Sequence, residues 1–155
     1  MESVLVVADW TVDPHAVVAA CSRRRELGDA SFALLVPAVL HGLDWAGDPA
    51  ASVPCATRQL EQVSELCHAA GLPVHSGEVG DPDPVTAIGD VVLSQAVDEL
   101  VVCVRERPAH PFDLSHRVMR ATGLPTRRVA VPGPRRRRTR AWTRIRRGQC
   151  ATTAA

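Results

Sequence analysis

Apolar residues cluster along the chain in short runs of strand length. Val4–Ala8 and Glu99–Val104 are almost continuously apolar, and Ser31–Val36 is a third run of similar length. Such a run is typical of a strand covered on both faces, as the central strands of parallel sheets are. The more polar Pro73–Val79 and the short Val129–Val131 predict two further strands, and the glycine within Pro73–Val79 suggests a position near a sheet edge.

Between these runs, apolar residues recur three and four positions apart, as in an amphipathic helix. This spacing predicts four helices, over Pro14–Leu27, Cys55–Ala70, Pro84–Val97 and Phe112–Ala121. Asp-Pro pairs open two of them, and the arginines at 23–25 suit the helix dipole at the end of the first. Five strands alternating with four helices predict an α/β fold: a parallel sheet with helices on both faces and right-handed crossovers.

Length and composition favour one α/β domain with an aliphatic core. The chain has 155 residues, of which 46% are hydrophobic and 3% aromatic. A domain of this size buries about 70% of its unfolded surface and needs no cross-links. No apolar stretch approaches the roughly 20 residues of a membrane span, and the first residues do not resemble a signal peptide, so we expect a cytoplasmic protein without membrane contact.

Cysteines and histidines show no metal-site spacing. The five cysteines include no C-x-x-C pair, and four of them fall in predicted helices or strands, where cysteine usually behaves as a small hydrophobic residue. We therefore expect reduced cysteines and no metal. A disulfide framework is the alternative.

Charge divides the chain after residue 131. Residues 1–131 contain ten arginines and seventeen acidic residues, net −7, whereas residues 132–155 contain eight arginines and no acid, net +8. The second segment is rich in Pro, Gly, Arg and Thr and lacks apolar periodicity, so we expect a folded domain over 1–131 and a disordered Arg-rich tail over 132–155.

The tail suggests contact with polyanions such as nucleic acids. Its cations would bind phosphates, and its tryptophan would stack on a base. The residues concerned are Arg135, Arg136, Arg137, Arg138, Arg140 and Trp142. Two other interpretations stay open: a solvated tail, and a tail that folds back on the acidic domain.

Asp9 follows the first predicted strand, where α/β proteins bind ligands. Ligands of open α/β sheets lie beyond the carboxyl ends of strands, near the point where strand order reverses. We expect Asp9 either to contact a ligand or to be a structural group bonded to the neighbouring turn. The chain has neither a nucleophile-elbow motif nor a Gly-rich loop after this strand, so no catalytic residue is predicted.

The order of these parts resembles the universal stress protein family over residues 2–131. The resemblance rests on Asp9 and Thr11 after the first strand, Gly80-Asp81-Pro82 before the third helix, Leu100–Val102 in the fourth strand, and Ser115–Arg120 before the last strand. It implies a Rossmann-like, adenine nucleotide alpha hydrolase-like fold with a five-stranded parallel sheet, strand order 3-2-1-4-5, and usually a dimer.

The resemblance also implies where a nucleotide would lie, since many members look like ATP binders. They use an acid after strand one, backbone after strand two, and a glycine pattern G-x2-G-x9-G-[ST] after strand four. Asp9 and Val36 match the first two, but residues 104–113 contain no glycine. A phosphate cradle needs inward-pointing N–H groups, often at positive φ, and the prolines at 108 and 111 have none.

Two further departures weaken such a site. Asp113 aligns with the family's phosphate-binding Ser or Thr, and a carboxylate about 5 Å from a phosphate charge costs on the order of 3 kcal/mol at an effective dielectric of about 20. Trp10 stands where many members have Gly and is expected to fill the adenine space. Arginines in the loop offset part of the cost for another anion. The candidate ligand-binding residues are Asp9, Trp10, Thr11, Val36, Gly80, Val104, Arg105, Arg107 and Asp113.

By this resemblance, the expected function is a stress-linked regulatory or binding module without catalysis. No cofactor is expected, and the alternatives are ATP binding through an Asp9 pocket, with weak ATPase activity, and nucleic-acid binding through the tail. The expected partners are an unidentified protein and a second copy of the chain. The dimer seam is expected at the edge residues Val129, Ala130 and Val131, because an unpaired edge strand invites pairing.

Overall fold

The computed structural model describes residues 1–40, 52–106 and 113–131, in which strands and helices alternate. The strands are β1 (Glu2–Ala8), β2 (Ala30–Pro37), β3 (Val74–Gly80), β4 (Glu99–Arg105) and β5 (Thr126–Val131), and the helices are α1 (Pro14–Glu26), α2 (Val53–Ala69), α3 (Pro84–Ser94) and α4 (Leu114–Thr122). The five strands and four helices predicted from the sequence are therefore confirmed.

The strands form one parallel sheet with the order β3-β2-β1-β4-β5, which confirms the predicted topology. β1 is the central strand, and its Val4 lies opposite Phe32 of β2 and Glu99 of β4. Strand order reverses at β1, because β2 and β3 extend the sheet to one side and β4 and β5 to the other. The carboxyl end of β1 is therefore the switch point of the sheet.

Alternate residues of β1 enter two separate hydrophobic layers. Val4 and Val6 pack beneath α1 and α2, whereas Leu5 and Val7 pack beneath α3 and α4. All four side chains are at least 98% buried. Both faces of the strand are covered, as its continuous apolar run predicts, and each such side chain contributes about 1.5–3 kcal/mol by its burial.

Aspartates cap three of the helices. Asp13 caps α1 and Asp83 caps α3, each directly before a proline, as the Asp-Pro pairs predict. Asp113 caps α4 by accepting from the N–H of His116 at 3.1 Å. The sequence pattern placed the start of this helix near Phe112, but the helix begins at Leu114 because Asp113 takes the capping position.

Some element ends differ from their predicted positions. β5 begins at Thr126 and not at Val129, because its backbone pairs with β4 over polar residues that carry no apolar signal. α2 begins at Val53, two residues early, and α3 ends at Ser94 and not at Val97. The order of elements follows from hydrophobic pattern, whereas their ends depend on backbone pairing and caps.

Gly80, at the end of β3, allows α3 to approach the sheet closely. A Cβ atom at this position would lie 2.6 Å from the Cβ of Ala87 and 2.8 Å from Cδ1 of Leu35. Real Cβ atoms do not come this near to other carbons in a packed core, so the position requires a residue without a Cβ.

Arg24 holds several elements together at the amino end of the sheet. Its side chain is only 7% exposed, and its guanidinium contacts Glu99 through Nε at 2.5 Å and Glu2 through Nη2. Glu99 also faces Nε of Arg127 at 3.3 Å. The hydrogen bond to Glu99 raises the pKa of Arg24. From the sequence pattern Arg24 was expected only to suit the helix dipole, whereas its side chain joins α1 to β1 and β4.

Three cysteines lie in the hydrophobic layer beneath α1 and α2. Cys21, Cys67 and Cys103 are buried free thiols, as predicted. The hydrogen bond with Cys67 and burial raise the pKa of Cys21, and burial raises the pKa of Cys103 to about 12. The thiols of Cys21 and Cys103 are therefore protonated at neutral pH. Cys55 departs from the expectation of reduced cysteines, because it is disulfide-bonded.

Across the described ranges, no helix combines the length and the apolar character that crossing a membrane requires.

Candidate functional site

The candidate site lies at the carboxyl end of the sheet, where Asp9 follows β1. Oδ1 of Asp9 accepts from the backbone N–H of Thr11 at 2.7 Å and also from the Thr11 hydroxyl. The carbonyl of Asp9 accepts from Val12 N–H at 3.2 Å. These bonds fix the turn between β1 and α1, so Asp9 has the structural role that was one of its two expected roles.

Trp10 packs over the end of β2. Its indole N–H donates to the carbonyl of Val39 at 3.0 Å. The ring is half-buried against a small apolar cluster that includes Val36, Ala38 and Ala56. Trp10 therefore covers the end of β2, contacts α2 and packs with the cluster that contains Val36.

A cavity of about 210 Å³ lies between Trp10 and α2. Arg58, Gln59 and Gln62 of α2 contribute to its lining. Gln59 is buried, and its amide donates to the carbonyl of Val12 at 2.7 Å. These α2 residues are not among the site residues predicted from the sequence. The signal available was a polar glutamine on the apolar face of the predicted helix, at position 59, one residue before Leu60.

Arg105, the last residue of β4, reaches the turn after β1. Its Nε and Nη2 atoms each lie 3.4 Å from the carbonyl oxygen of Thr11. The structure thus brings Asp9, Thr11 and Arg105 together at the switch point. Val104, the residue before Arg105, is half-buried and pairs with Ala130 of β5.

Asp113 makes its contacts with α4 and β5. Its Oδ1 accepts from the Ser115 hydroxyl at 2.6 Å and lies 3.0 Å from Nδ1 of His116, while Oδ2 faces Nε of Arg128 at 3.2 Å as an ion pair. The hydrogen bonds from Ser115 and His116 lower the pKa of Asp113 to about 2. Asp113 is therefore ionised at neutral pH, and both carboxylate oxygens already face partners.

Gly80 lies at the same end of the sheet but on the far side of β2. Its carbonyl accepts from the Ala38 N–H at 3.1 Å. A cavity of about 300 Å³ adjoins it between β3 and α3 and is lined in part by Glu78, Asp81 and Asp90. No group of three or more potential metal ligands occurs in the part of the chain that the structure describes.

The remaining predicted site residues are placed as follows. Val129, Ala130 and Val131 pair with β4, and β5 is the last strand on its side of the sheet among the residues that the structure describes. Arg107 lies outside the described residues, as do the tail residues Arg135, Arg136, Arg137, Arg138, Arg140 and Trp142.

Neither a protein-family model nor a curated protein matches the chain, but solved structures do. A universal stress protein in complex with cAMP matches with TM-score 0.57 and 16% identity, covering 84% of this chain and 97% of that one. A universal stress protein family protein from Arabidopsis thaliana with AMP bound gives 0.55 and 20%, covering 84% and 92%. A family protein from Burkholderia pseudomallei gives 0.60 and 14%, covering 84% and 96%. The chain is therefore similar to universal stress proteins in fold, with a five-stranded parallel α/β domain.

Proposed function

We propose that this protein is a universal stress protein-like regulatory or binding module that is not an enzyme and does not bind ATP in the usual mode of that family. The observation that carries the proposal is the packing of Trp10 over Val36 at the switch point. The resemblance to the family implies that an adenine would use the acid after β1 and the backbone after β2, and Trp10 covers the space between them.

Admitting an adenine there would break existing contacts. The indole would have to leave the cluster around Val36 and give up its hydrogen bond to Val39. A hydrogen bond contributes about 1 kcal/mol, and moving the ring would also expose apolar surface. Asp9 would in addition have to share or release the Thr11 hydroxyl. These costs oppose nucleotide binding at the adenine end.

The phosphate end is also unfavourable. Ionised Asp113 would repel a phosphate at the position that its alignment implies, by on the order of 3 kcal/mol at about 5 Å. Arg105, a cation beside the turn after β1, already contacts the Thr11 carbonyl. Residues 104–113 also contain no glycine, although a phosphate cradle needs inward-pointing N–H groups, often at positive φ.

A second candidate function is binding of an adenine nucleotide with fewer phosphates. Its support is that two structural neighbours are described in complex with cAMP and with AMP. AMP has one phosphate group where ATP has three. The absence of glycines after β4 and the charge of Asp113 therefore oppose its binding less. The same end of the sheet, with Asp9 and Val36, would hold it once Trp10 moves away from Val36, so the cost at the adenine end is the same as for ATP.

Calorimetric titration of nucleotide-free protein with Mg-ATP, AMP and cAMP up to 1 mM tests both candidates. We expect no binding heat for ATP in the native protein. Trp10→Gly is expected to open the space and allow at least weak AMP binding, whereas Trp10→Phe keeps the space filled and serves as the control. Micromolar ATP affinity that is lost in Asp9→Ala would contradict the main proposal, and AMP binding alone would favour the second.

We also propose that the domain comprises residues 1–131 and dimerises through β5. The Val131 carbonyl accepts from Glu106 N–H at 2.7 Å, so by alternation the backbone of Ala130 points away from β4, where a second copy would pair. Ala130→Pro removes that outward donor and is expected to give monomers in sedimentation experiments. Ala130→Val is the control. A native protein that sediments as a monomer would contradict a dimer interface at β5.

A further inference from the structure

The cysteines of the chain fall into two classes. Cys21, Cys67 and Cys103 are free thiols buried in the hydrophobic layer beneath α1 and α2, each at most 3% exposed. Cys55 differs from them, because it lies half-buried in the first turn of α2 and is disulfide-bonded. The chain has five cysteines, so the residue that remains to pair with Cys55 within one chain is Cys150.

Cys55 lies at the carboxyl end of the sheet, beside the switch point. It lines the cavity of about 210 Å³ together with Trp10 and Arg58. Ala56, the next residue, belongs to the apolar cluster against which the Trp10 ring packs. A residue bonded to Cys55 is therefore held next to the turn that follows β1.

We propose that Cys55 and Cys150 form a reversible cross-link, which holds the Arg-rich tail at the acidic carboxyl end of the sheet and on reduction releases it to bind single-stranded nucleic acid. All eight arginines of residues 132–155 precede Cys150. The cross-link therefore attaches the arginine-bearing part of the tail at both of its ends, to Val131 of β5 and to Cys55. Reduction leaves it attached through Val131 alone.

The length of the chain permits this cross-link. β5 and β2, the strand before α2, are three strand spacings apart, or about 14 Å at about 4.8 Å each. The eighteen residues between Val131 and Cys150 span up to about 60 Å when extended. The bond can therefore form without any change in the sheet.

Charge complementarity favours the cross-linked state. The residues directly after β1, β3 and β4 are all acidic, namely Asp9, Asp81 and Glu106. A tail that is attached at both ends stays near these carboxylates at an effective concentration on the order of 1 mM, and a nucleic acid must compete with them for the arginines. Reduction lowers this concentration and lets the arginines align along a phosphate backbone.

The cross-link can open without any reaction in the core. A dithiol reductant would attack one of the two sulfurs, so that two electrons and two protons pass to Cys55 and Cys150, both of which become thiols, and the reductant becomes a disulfide. The half-buried position of Cys55 gives the reductant access, whereas the three core cysteines are already thiols. The reaction therefore changes only how the tail is attached.

Tryptic digestion of the alkylated, unreduced full-length protein tests the pairing. Cleavage at arginine gives the peptides 26–58 and 148–155, each with one cysteine. We expect mass spectrometry to find these two peptides joined, and dithiothreitol to separate them, in a protein that runs as a single chain on a denaturing gel without reductant. Alkylation of Cys55 in the unreduced protein, or a covalent dimer, would overturn the proposal.

Binding of a fluorescent single-stranded DNA of about 20 nucleotides at about 50 mM salt, measured by anisotropy, tests the release of the tail. We expect the full-length protein to bind at least about tenfold more tightly after reduction with dithiothreitol, because the released arginines can follow the phosphates. Cys150→Ser should bind like the reduced protein with or without dithiothreitol. Replacing Arg135–Arg138 by Gln in that variant should remove the gain.

Two binding results would overturn the proposal. One is equal affinity of the oxidised and the reduced native protein for the DNA. The other is a Cys150→Ser variant whose affinity still changes on addition of dithiothreitol. Because this variant keeps Asp9 and Trp10, its result is separate from that of the nucleotide titration at the switch point.

Discussion

The indole N–H of Trp10 donates to the carbonyl oxygen of Val39 at 3.0 Å, across 29 residues of sequence. This bond joins the segment after β1 to the segment after β2, at the point where the sheet reverses its strand order. A ligand in the cleft between these segments would compete with it. Trp10 is therefore a structural contact at the switch point, and under the proposed function it also limits access to that point.

Replacing Trp10 is expected to separate these two roles. Trp10→Phe removes the hydrogen bond but keeps most of the packing, so the free energy of unfolding should fall by about 1 kcal/mol. Trp10→Gly also removes the ring from the cluster around Val36, and we expect a loss of about 2–4 kcal/mol. Urea denaturation measures both. Equal stability of the two variants would show that the ring contributes no packing.

Gly80→Ala is expected to destabilise the protein by about 1–3 kcal/mol, because the new Cβ would clash with Ala87 and Leu35. Gly89→Ala is the matched control: Gly89 lies within α3, and a Cβ there meets nothing within 4 Å. Since alanine favours a helix interior by up to about 1 kcal/mol over glycine, that variant should be more stable. Thermal unfolding of both variants shows whether the close packing around Gly80 or the general effect of replacing glycine by alanine determines the change in stability.

Asp113 should contribute stability that is lost in acid. Its folded pKa of about 2 lies below the ordinary value of an unfolded aspartate, about 3.9. The contribution is thus fully present above about pH 5 and disappears as the pH falls toward 2. At pH 7, Asp113→Ala should cost about 0.5–2 kcal/mol through the lost cap, and the difference from the native protein should shrink near pH 2.5. A difference that stays constant from pH 7 to 2.5 would contradict this assignment.

Arg24→Met is expected to cost about 3–5 kcal/mol, because it leaves Glu99, whose side chain is 14% exposed, without its buried partner. Arg25→Met, at an exposed position of the same helix turn, should change the stability by less than about 0.5 kcal/mol. Urea denaturation of the two variants measures the difference. Similar stabilities of the Arg24→Met and Arg25→Met variants would mean that Arg127 alone is enough to balance the charge of Glu99.

The sheet could be predicted from the sequence because each of its signals lies within a few consecutive residues. Runs such as Val4–Ala8 and the Asp-Pro pairs report burial and helix starts within a few residues. Glycine-rich or polar edges gave weaker signals, and β5 therefore begins earlier than predicted. The pairing of Thr126–Arg128 with β4 depends on backbone groups that every residue carries, so no side-chain pattern reveals it.

The site was less predictable because its contacts join distant parts of the chain. Asp9, Thr11 and Arg105 were all predicted site residues, but the contact of Arg105 with the Thr11 carbonyl follows only from the β1–β4 pairing. Arg128 opposite Asp113, and Gln59 beneath Trp10, were not selected at all. Each lies in an element whose sequence pattern indicates only a strand or a helix.

The strand order also determines how the chain is completed during synthesis. β1, β2 and β3 emerge early, whereas β4, which pairs with the other side of β1, begins at Glu99. Until then the central strand has an open apolar edge, and Arg24 lacks Glu99. A ribosome-bound chain that ends before β4 would therefore expose an unpaired apolar strand edge that is prone to aggregation, and closing the sheet is a late, long-range step in folding.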